Sequence, residues 1–408
     1  MAIIKPFRAL RPAPEKAELV SCVPYDVVQK AEARAYVEQN RLCFLRVTRP
    51  RSLYAKGEKP PLVEIFERAK HNLDWFVDER VFLTDPDEAL YVYQLSGLGH
   101  TQTGVVGCCS LDDYESDVIK RHENVRPEKV QERAGHILAL RAHTGLIFLA
   151  FRGTDGMRRL IADAVKGEPL YDFTGDDEIR QRVWKVTDTA DWVAAFRDVP
   201  SIYIADGHHR TEAAQQARET LRSQNPSHTG REEYNYVMAG LFPAEELRIL
   251  PYNRALRGLN GLTTEQLLDR LSESFTATET DEKQPARSGE FCMYTGGRWF
   301  KLRPNVQHDD DPDPVQRLDA TVLQNMVLRP ILGIEDDRTD ERLIFVGGAR
   351  GTAELERLVD SSEAAVAFSL YPVSIDDMLE VSDRGEIMPP KSTWFDPKLK
   401  DGLLVHKI

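Results

Sequence analysis

One segment limits the fold of this chain more than any other: Ser201-Ile-Tyr-Ile-Ala-Asp-Gly-His-His-Arg-Thr-Glu-Ala-Ala. Ser201–Ala205 reads as a short strand, Asp206-Gly207 as a tight turn, and His208 to about Ser223 as a helix. A strand that turns straight into a helix belongs to a mixed α/β architecture, because the helix must pack back on the sheet it left. The first N–H groups of such a helix have no internal partner and carry partial positive charge. Gly207 lets the backbone approach an anion closely. His208, His209 and Arg210 add donors, but cationic side chains here oppose the helix dipole. A capped helix with surface histidines gives that arrangement no evident gain, whereas a bound anion offsets its cost. Gly207, His208, His209 and Arg210 are therefore expected to cradle phosphate, with His208 and Asp206 as catalytic candidates. Asp206 can cap the helix, or hold a metal or a substrate amine. Adjacent histidines diverge by about a quarter turn, and no Cys or His pair elsewhere has ligand spacing, so no protein-held metal is expected.

A second segment, Ile119-Lys-Arg-His-Glu-Asn-Val-Arg-Pro-Glu-Lys-Val-Gln-Glu-Arg, mixes both charge signs. Ion pairs spaced i,i+4 on a solvated helix account for Glu128, Lys129, Glu132 and Arg133. They do not account for Arg121-His122-Glu123, which precedes the helix expected over 126–141. A carboxylate beside Arg and His suits a general base for a hydroxyl, so Glu123 and His122 are catalytic candidates. Lys120, Arg121 and Arg126 are assigned to the site's surroundings. A third segment, Met388-Pro-Pro-Lys-Ser-Thr-Trp-Phe-Asp-Pro-Lys-Leu, is too aromatic and proline-rich for a loose tail and is expected to dock. Two readings stand side by side there: a strand sealing the core, or a phosphate loop of Lys391, Ser392, Thr393 and Lys398.

Short apolar runs at 43–48, 90–95, 145–151, 343–346 and 364–370 read as further strands. Helical spacing appears over 61–76, 188–197, 263–275, 320–332 and 353–360. The acidic run 309–313 reads as a solvated loop, and Gly347-Gly-Ala-Arg-Gly as a turn, since it lacks G-x-G-x-x-G and the P-loop lysine. The expected organisation is an N-terminal α/β unit over 1–110, a core over 111–258 with an insertion around 151–182, and a C-terminal α/β unit over 259–408 whose tail returns to the core.

Composition narrows the partners. The 53 Lys and Arg against 66 Asp and Glu give −13, which argues against coating nucleic acid but not against a local basic pocket. Such a pocket, gathering Lys120, Arg121, His208–Arg210, Lys391 and Lys398, suits a small phosphorylated ligand better than a long polyanion. Cys22, Cys43, Cys108, Cys109 and Cys292 form no C-x-x-C pair, and Cys108-Cys109 reads as core. No apolar run approaches the ~18–20 residues of a membrane helix, and the first residues do not read as a secretory signal, so a cytoplasmic protein without membrane contact is expected.

With these residues in view, the chain resembles the domain of unknown function 1015 family. The resemblance rests on Ile4-Lys-Pro-Phe-Arg-Ala-Leu-Arg-Pro, Val23-Pro-Tyr-Asp-Val-Val, Lys120-Arg-His-Glu, Ala205-Asp-Gly-His-His-Arg, Leu250-Pro-Tyr-Asn-Arg, Leu323-Gln-Asn-Met-Val-Leu-Arg-Pro-Ile-Leu-Gly-Ile and Pro389-Pro-Lys-Ser-Thr-Trp-Phe-Asp-Pro-Lys-Leu. The middle region is also similar to the ParB/sulfiredoxin superfamily, in its free-serine-kinase branch. There a His-Glu segment precedes a helix, and an Asp-Gly-His-x-Arg turn holds phosphate. That resemblance implies a ParB/sulfiredoxin-like core, with Glu123 as base and 206–210 as cradle. Position 207 is Gly where sulfiredoxins carry their cysteine, and no helix-turn-helix follows, so sulfinic-acid repair and partition-type DNA binding lose support.

The expected function is phosphoryl transfer on a small hydroxylated metabolite, as a serine kinase or a phosphoserine phosphatase. ATP or ADP with Mg²⁺ is the implied donor, and a homodimer is compatible with the sequence. The alternative is a nucleotide-binding, ParB-like regulatory or partition protein without turnover.

Overall fold

The computed structural model describes residues 1–306 and 311–408; Asp309 and Asp310 of the expected acidic loop lie outside the described residues. It is a mixed α/β structure with two compact units. The first comprises residues 1–120, 125–247 and 397–408, and the second residues 121–124 and 248–396.

A nine-stranded mixed sheet organises the first unit. Its strands are β1 (Ile4–Lys5), β2 (Leu90–Gly97), β3 (His100–Ser110), β4 (Ile119–Lys120), β5 (Ile147–Phe151), β6 (Tyr171–Thr174), β7 (Arg180–Val186), β8 (Ile202–Asp206) and β9 (Tyr236–Pro243). Their order is β4-β8-β5-β9-β3-β2-β7-β6, with β1 also pairing β3. The sheet therefore draws strands from both 1–110 and 111–258. β8 runs parallel to β4 and antiparallel to β5, which runs parallel to β9. Central strands are buried on both faces: all of Ile147–Phe151 lies inside, as its unbroken apolar run predicts. Helices α1 (Pro127–Leu140) and α2 (His208–Gln224) pack against each other. Val130, Ala134 and Ile137 of α1 and Ala213, Ala214 and Ala217 of α2 enter the core under the sheet. The tail is ordered, pairing Asp401 with Cys22, Val405 with Leu10, and His406–Lys407 with Ala142–His143.

The second unit holds a six-stranded antiparallel sheet of β10 (Tyr252–Leu256), β11 (Phe275–Glu279), β12 (Phe291–Thr295), β13 (Arg298–Pro304), β14 (Leu343–Gly347) and β15 (Val366–Ser369). Its order is β11-β13-β12-β15-β10-β14. Helix Thr264–Ser272 contributes Leu267 and Leu271 to its core, and Thr263 closes a capping box with Gln266.

Two expectations are corrected. Residues 43–48 form no strand; Leu45–Thr48 is a helical turn. Cys43, Phe44, Leu45 and Val47 are all buried in one cluster, so the run has no exposed face to alternate with. Such a short apolar run does not distinguish strand from helix. The helix expected over 320–332 is regular only through Leu323 and then widens, with Arg329 N–H donating to Gln324 O at 3.0 Å. Among the described residues, no helix is long and apolar enough to cross a membrane.

Candidate functional site

The turn between β8 and α2 is built as the sequence requires. Gly207 is the residue before the helix and sits at φ 110°, in the region that favours glycine. A Cβ there would lie 3.1 Å from Arg210 Nε and 3.2 Å from Ile147 Cγ2. Gly207→Ala is therefore expected to destabilise the protein by about 1–3 kcal/mol, read as a lower denaturant midpoint; an unchanged midpoint would contradict the geometry. The first i→i−4 bond of the helix runs from Thr211 N–H to Gly207 O at 2.9 Å, so the N–H groups of 208–210 lie ahead of the ladder.

The side chains depart from expectation. Arg210 faces inward with 11% of its side chain exposed. Its Nη1 donates to Leu146 O at 2.9 Å, and its Nη2 lies 3.1 Å from Asp206 Oδ2 and 3.8 Å from Asp26 Oδ2. Burial opposes its charge, but Asp26 and Asp206 outweigh that and raise its pKa. His209 Nε2 accepts from the Arg126 N–H at 3.0 Å, which makes it the Nδ1–H tautomer. His208 is buried. Asp26 and Asp206 supply the negative charge that offsets Arg210 at this helix start. Lys398 does arrive at the turn, with Nζ 3.3 Å from Asp206 Oδ2. Lys120 lies at the edge of the sheet on β4, 4.0 Å from Asp117. Arg126 is exposed.

In the second unit the segments His122-Glu123 and Lys391–Thr393 meet. The buried His122 places Nε2 3.4 Å from Thr393 Oγ1, and its carbonyl accepts from Met388 N–H at 2.8 Å. Glu123 is half-buried and Arg121 exposed. Ser392 turns inward and donates to Pro389 O at 2.7 Å, so its hydroxyl is not presented to a ligand. Lys391 has φ 57° and stands 5.8 Å from the Tyr252 ring. Trp394–Phe395 pairs antiparallel with Ile249–Leu250.

The model of the family described as "Protein of unknown function (DUF1015)" matches residues 4–321. The chain belongs to this family. No curated protein matches. Among solved structures, a conserved hypothetical protein from Pyrococcus furiosus is similar at 15% identity and TM-score 0.36, over 74% of this chain and 95% of that one. A free serine kinase in complex with AMP is similar at 15% and 0.36, over 74% and 91%. SbnI with C-terminal truncation from Staphylococcus aureus is similar at 13% and 0.39, over 74% and 87%.

Several residues that build these two clusters were missed, although three lie in stretches shared with the family. Tyr25 and Asp26, from Val23-Pro-Tyr-Asp, flank Arg210. Arg254, from Leu250-Pro-Tyr-Asn-Arg, is fully buried and holds the Pro390 and Lys391 carbonyls at 3.0 and 3.1 Å. Burial pulls its pKa down to about 10, against the pull of Asp337. Asp401 carries no sequence signal: it is one acid among many until the chain folds.

Proposed function

We propose that this protein transfers a phosphoryl group to or from a small hydroxylated metabolite, as a serine kinase or a phosphoserine phosphatase. The observation that carries the reading is the 206–210 turn: a glycine at φ 110° opening a 17-residue helix, with its first N–H groups ahead of the ladder and Lys398 alongside. Backbone donors fixed in this way stabilise charge on a transferred phosphoryl without reorganising. Lys398 supplies a side-chain cation beside the turn, and Arg210 acts as the brace that holds it. Glu123 is the base that accepts the hydroxyl proton of the acceptor, or of water in the phosphatase direction. His122, held near Thr393, orients it.

ATP or ADP is the proposed donor. The described residues contain no group of three or more His, Cys, Asp or Glu able to hold a metal ion. Mg²⁺ is proposed to arrive on the nucleotide phosphates, since it keeps several waters and takes only one or two carboxylates beside substrate phosphates.

The test is phosphorus NMR of the protein with serine plus ATP or ADP, and with phosphoserine plus ADP or no nucleotide. Appearance of phosphoserine, or of a nucleotide or inorganic phosphate product, is expected in one of these mixtures. No turnover in any of them overturns the serine-directed reading. Nucleotide binding without turnover would instead favour a regulatory protein.

A further inference from the structure

Arg210 lines a cavity of about 30 Å³ in the first unit, together with Thr48, His143, Asp401, Arg133 and Tyr25. Four side-chain atoms among these residues are buried without a hydrogen-bond partner: Arg210 Nε, Thr48 Oγ1, His143 Nε2 and Asp401 Oδ2. Thr48, His143 and Asp401 are each more than nine-tenths buried. Orphaned polar atoms are costly singly, and four on one cavity point to a shared partner.

Their chemistry defines that partner. Arg210 Nε can only donate, which excludes a cation. Burial keeps the His143 ring neutral, pulling its pKa down to about 3, and its bonded nitrogen donates to the Tyr236 backbone, so the unpartnered Nε2 is an acceptor. Asp401 Oδ2 accepts when ionised and donates when protonated, and the Thr48 hydroxyl, able to donate or accept, takes the complementary role. Two donors and two acceptors match the tetrahedral valences of one water, and the volume exceeds the ~10–15 Å³ that a water requires.

We propose that one buried water joins Arg210 Nε, Thr48 Oγ1, His143 Nε2 and Asp401 Oδ2, and that Asp401 and His143 thereby act as positioning residues for the 206–210 turn. Its bearing on phosphate rests on the function proposed above; the water-bridged brace does not. Asp401 belongs to the C-terminal segment, and Cys22 N–H donates to its carbonyl while Asp401 N–H donates to Cys22 O. The segment from 397 is thus tied to the brace.

The bridge is proton-linked. Asp401 faces Arg210 and Arg133 from α2 and α1, Asp26 and the Tyr25 backbone from the 23–28 stretch, and His143 from the strand beside the tail. Burial dominates and pushes its carboxyl up to about 7, against the pull of Arg210. The folded state then holds a proton that the unfolded chain has lost, so this group's contribution falls as pH rises from about 4 to about 7.

A high-resolution crystal structure of the full chain is expected to show a single solvent peak about 2.6–3.2 Å from at least three of the four atoms. A dry cavity, or direct pairing of the four atoms, would overturn the proposal. In solution, Asp401→Asn keeps the hydrogen-bonding shape and removes the proton. Its melting temperature is expected to exceed that of the wild type by several degrees at pH 8, and the difference should shrink towards pH 5. A difference independent of pH would overturn the linkage. Sulfate, whose charge is constant over this range, probes the turn. Its affinity for the wild type should weaken a few-fold from pH 6 to pH 8, as Asp401 ionises behind Arg210, and stay flat in Asp401→Asn. Equal pH dependence in both proteins would refute the positioning role. Absence of sulfate binding in both would count against the phosphate cradle instead, with the brace still decided by the melting curves.

Discussion

Arg210→Met is expected to lower the unfolding free energy by about 3 kcal/mol, read from the urea midpoint at neutral pH. Methionine keeps much of the buried volume, so the loss isolates the guanidinium rather than a cavity. That group donates to Leu146 O and pairs with Asp206 and Asp26, at 2.9, 3.1 and 3.8 Å. Deleting it leaves the Leu146 carbonyl short of a donor and two carboxylates without their main counter-charge. The figure sits at the low end for buried pairs because Asp206 and Asp26 keep 27% and 37% of their side chains exposed, and Asp206 retains Lys398. Arg210→Lys should recover only part of the loss, since an ammonium cannot span the three acceptors in one plane. A change within about 0.5 kcal/mol in Arg210→Met would mean that the residue is a surface donor, as the bare sequence suggests.

The distance between those two views of Arg210 shows what the sequence carries. Strand, turn and helix over 201–224 are legible because local rules agree: a β-favouring run, an Asp-Gly break, then residues tolerated in a helix. The same holds for α1, whose Pro127 begins the helix and whose core positions repeat every three to four residues. Where a side chain points is a tertiary fact. Arg210 turns inward because Asp26, 184 positions earlier by the numbering, supplies its counter-charge. No local pattern encodes that pairing. Lys398 and Asp401 show the contrast within one segment. The lysine stands out beside prolines and aromatics, whereas the aspartate gains meaning only through its burial beside Arg210. The misread helical turn at 45–48 has the same origin, since burial on all sides erases the periodicity that sequence reading depends on.

Glu123→Gln is expected to reduce the proposed turnover by about 10²–10⁴-fold while leaving affinity for the proposed nucleotide, ATP or ADP, within a factor of about two. The two side chains are nearly isosteric, and an amide has no basicity to accept a hydroxyl proton. Glu123 is half-buried, so the substitution neither opens a cavity nor strands a counter-ion, and stability should change little. The paired measurement separates the roles. If Glu123 is the base, kcat falls and nucleotide binding persists. If Glu123 instead anchors a ligand, affinity falls with rate, and the assignment fails. Glu123→Asp draws the carboxylate back by one methylene and should fall between wild type and Gln, because proton transfer needs hydrogen-bond reach. Thr393→Val removes the hydroxyl 3.4 Å from His122 Nε2 and should lower kcat less than Glu123→Gln does, because the proposed function gives His122 an orienting role alone. A Thr393→Val protein slower than Glu123→Gln would move the chemistry from the carboxylate to the histidine. Wild-type turnover in Glu123→Gln would remove the base from this site altogether.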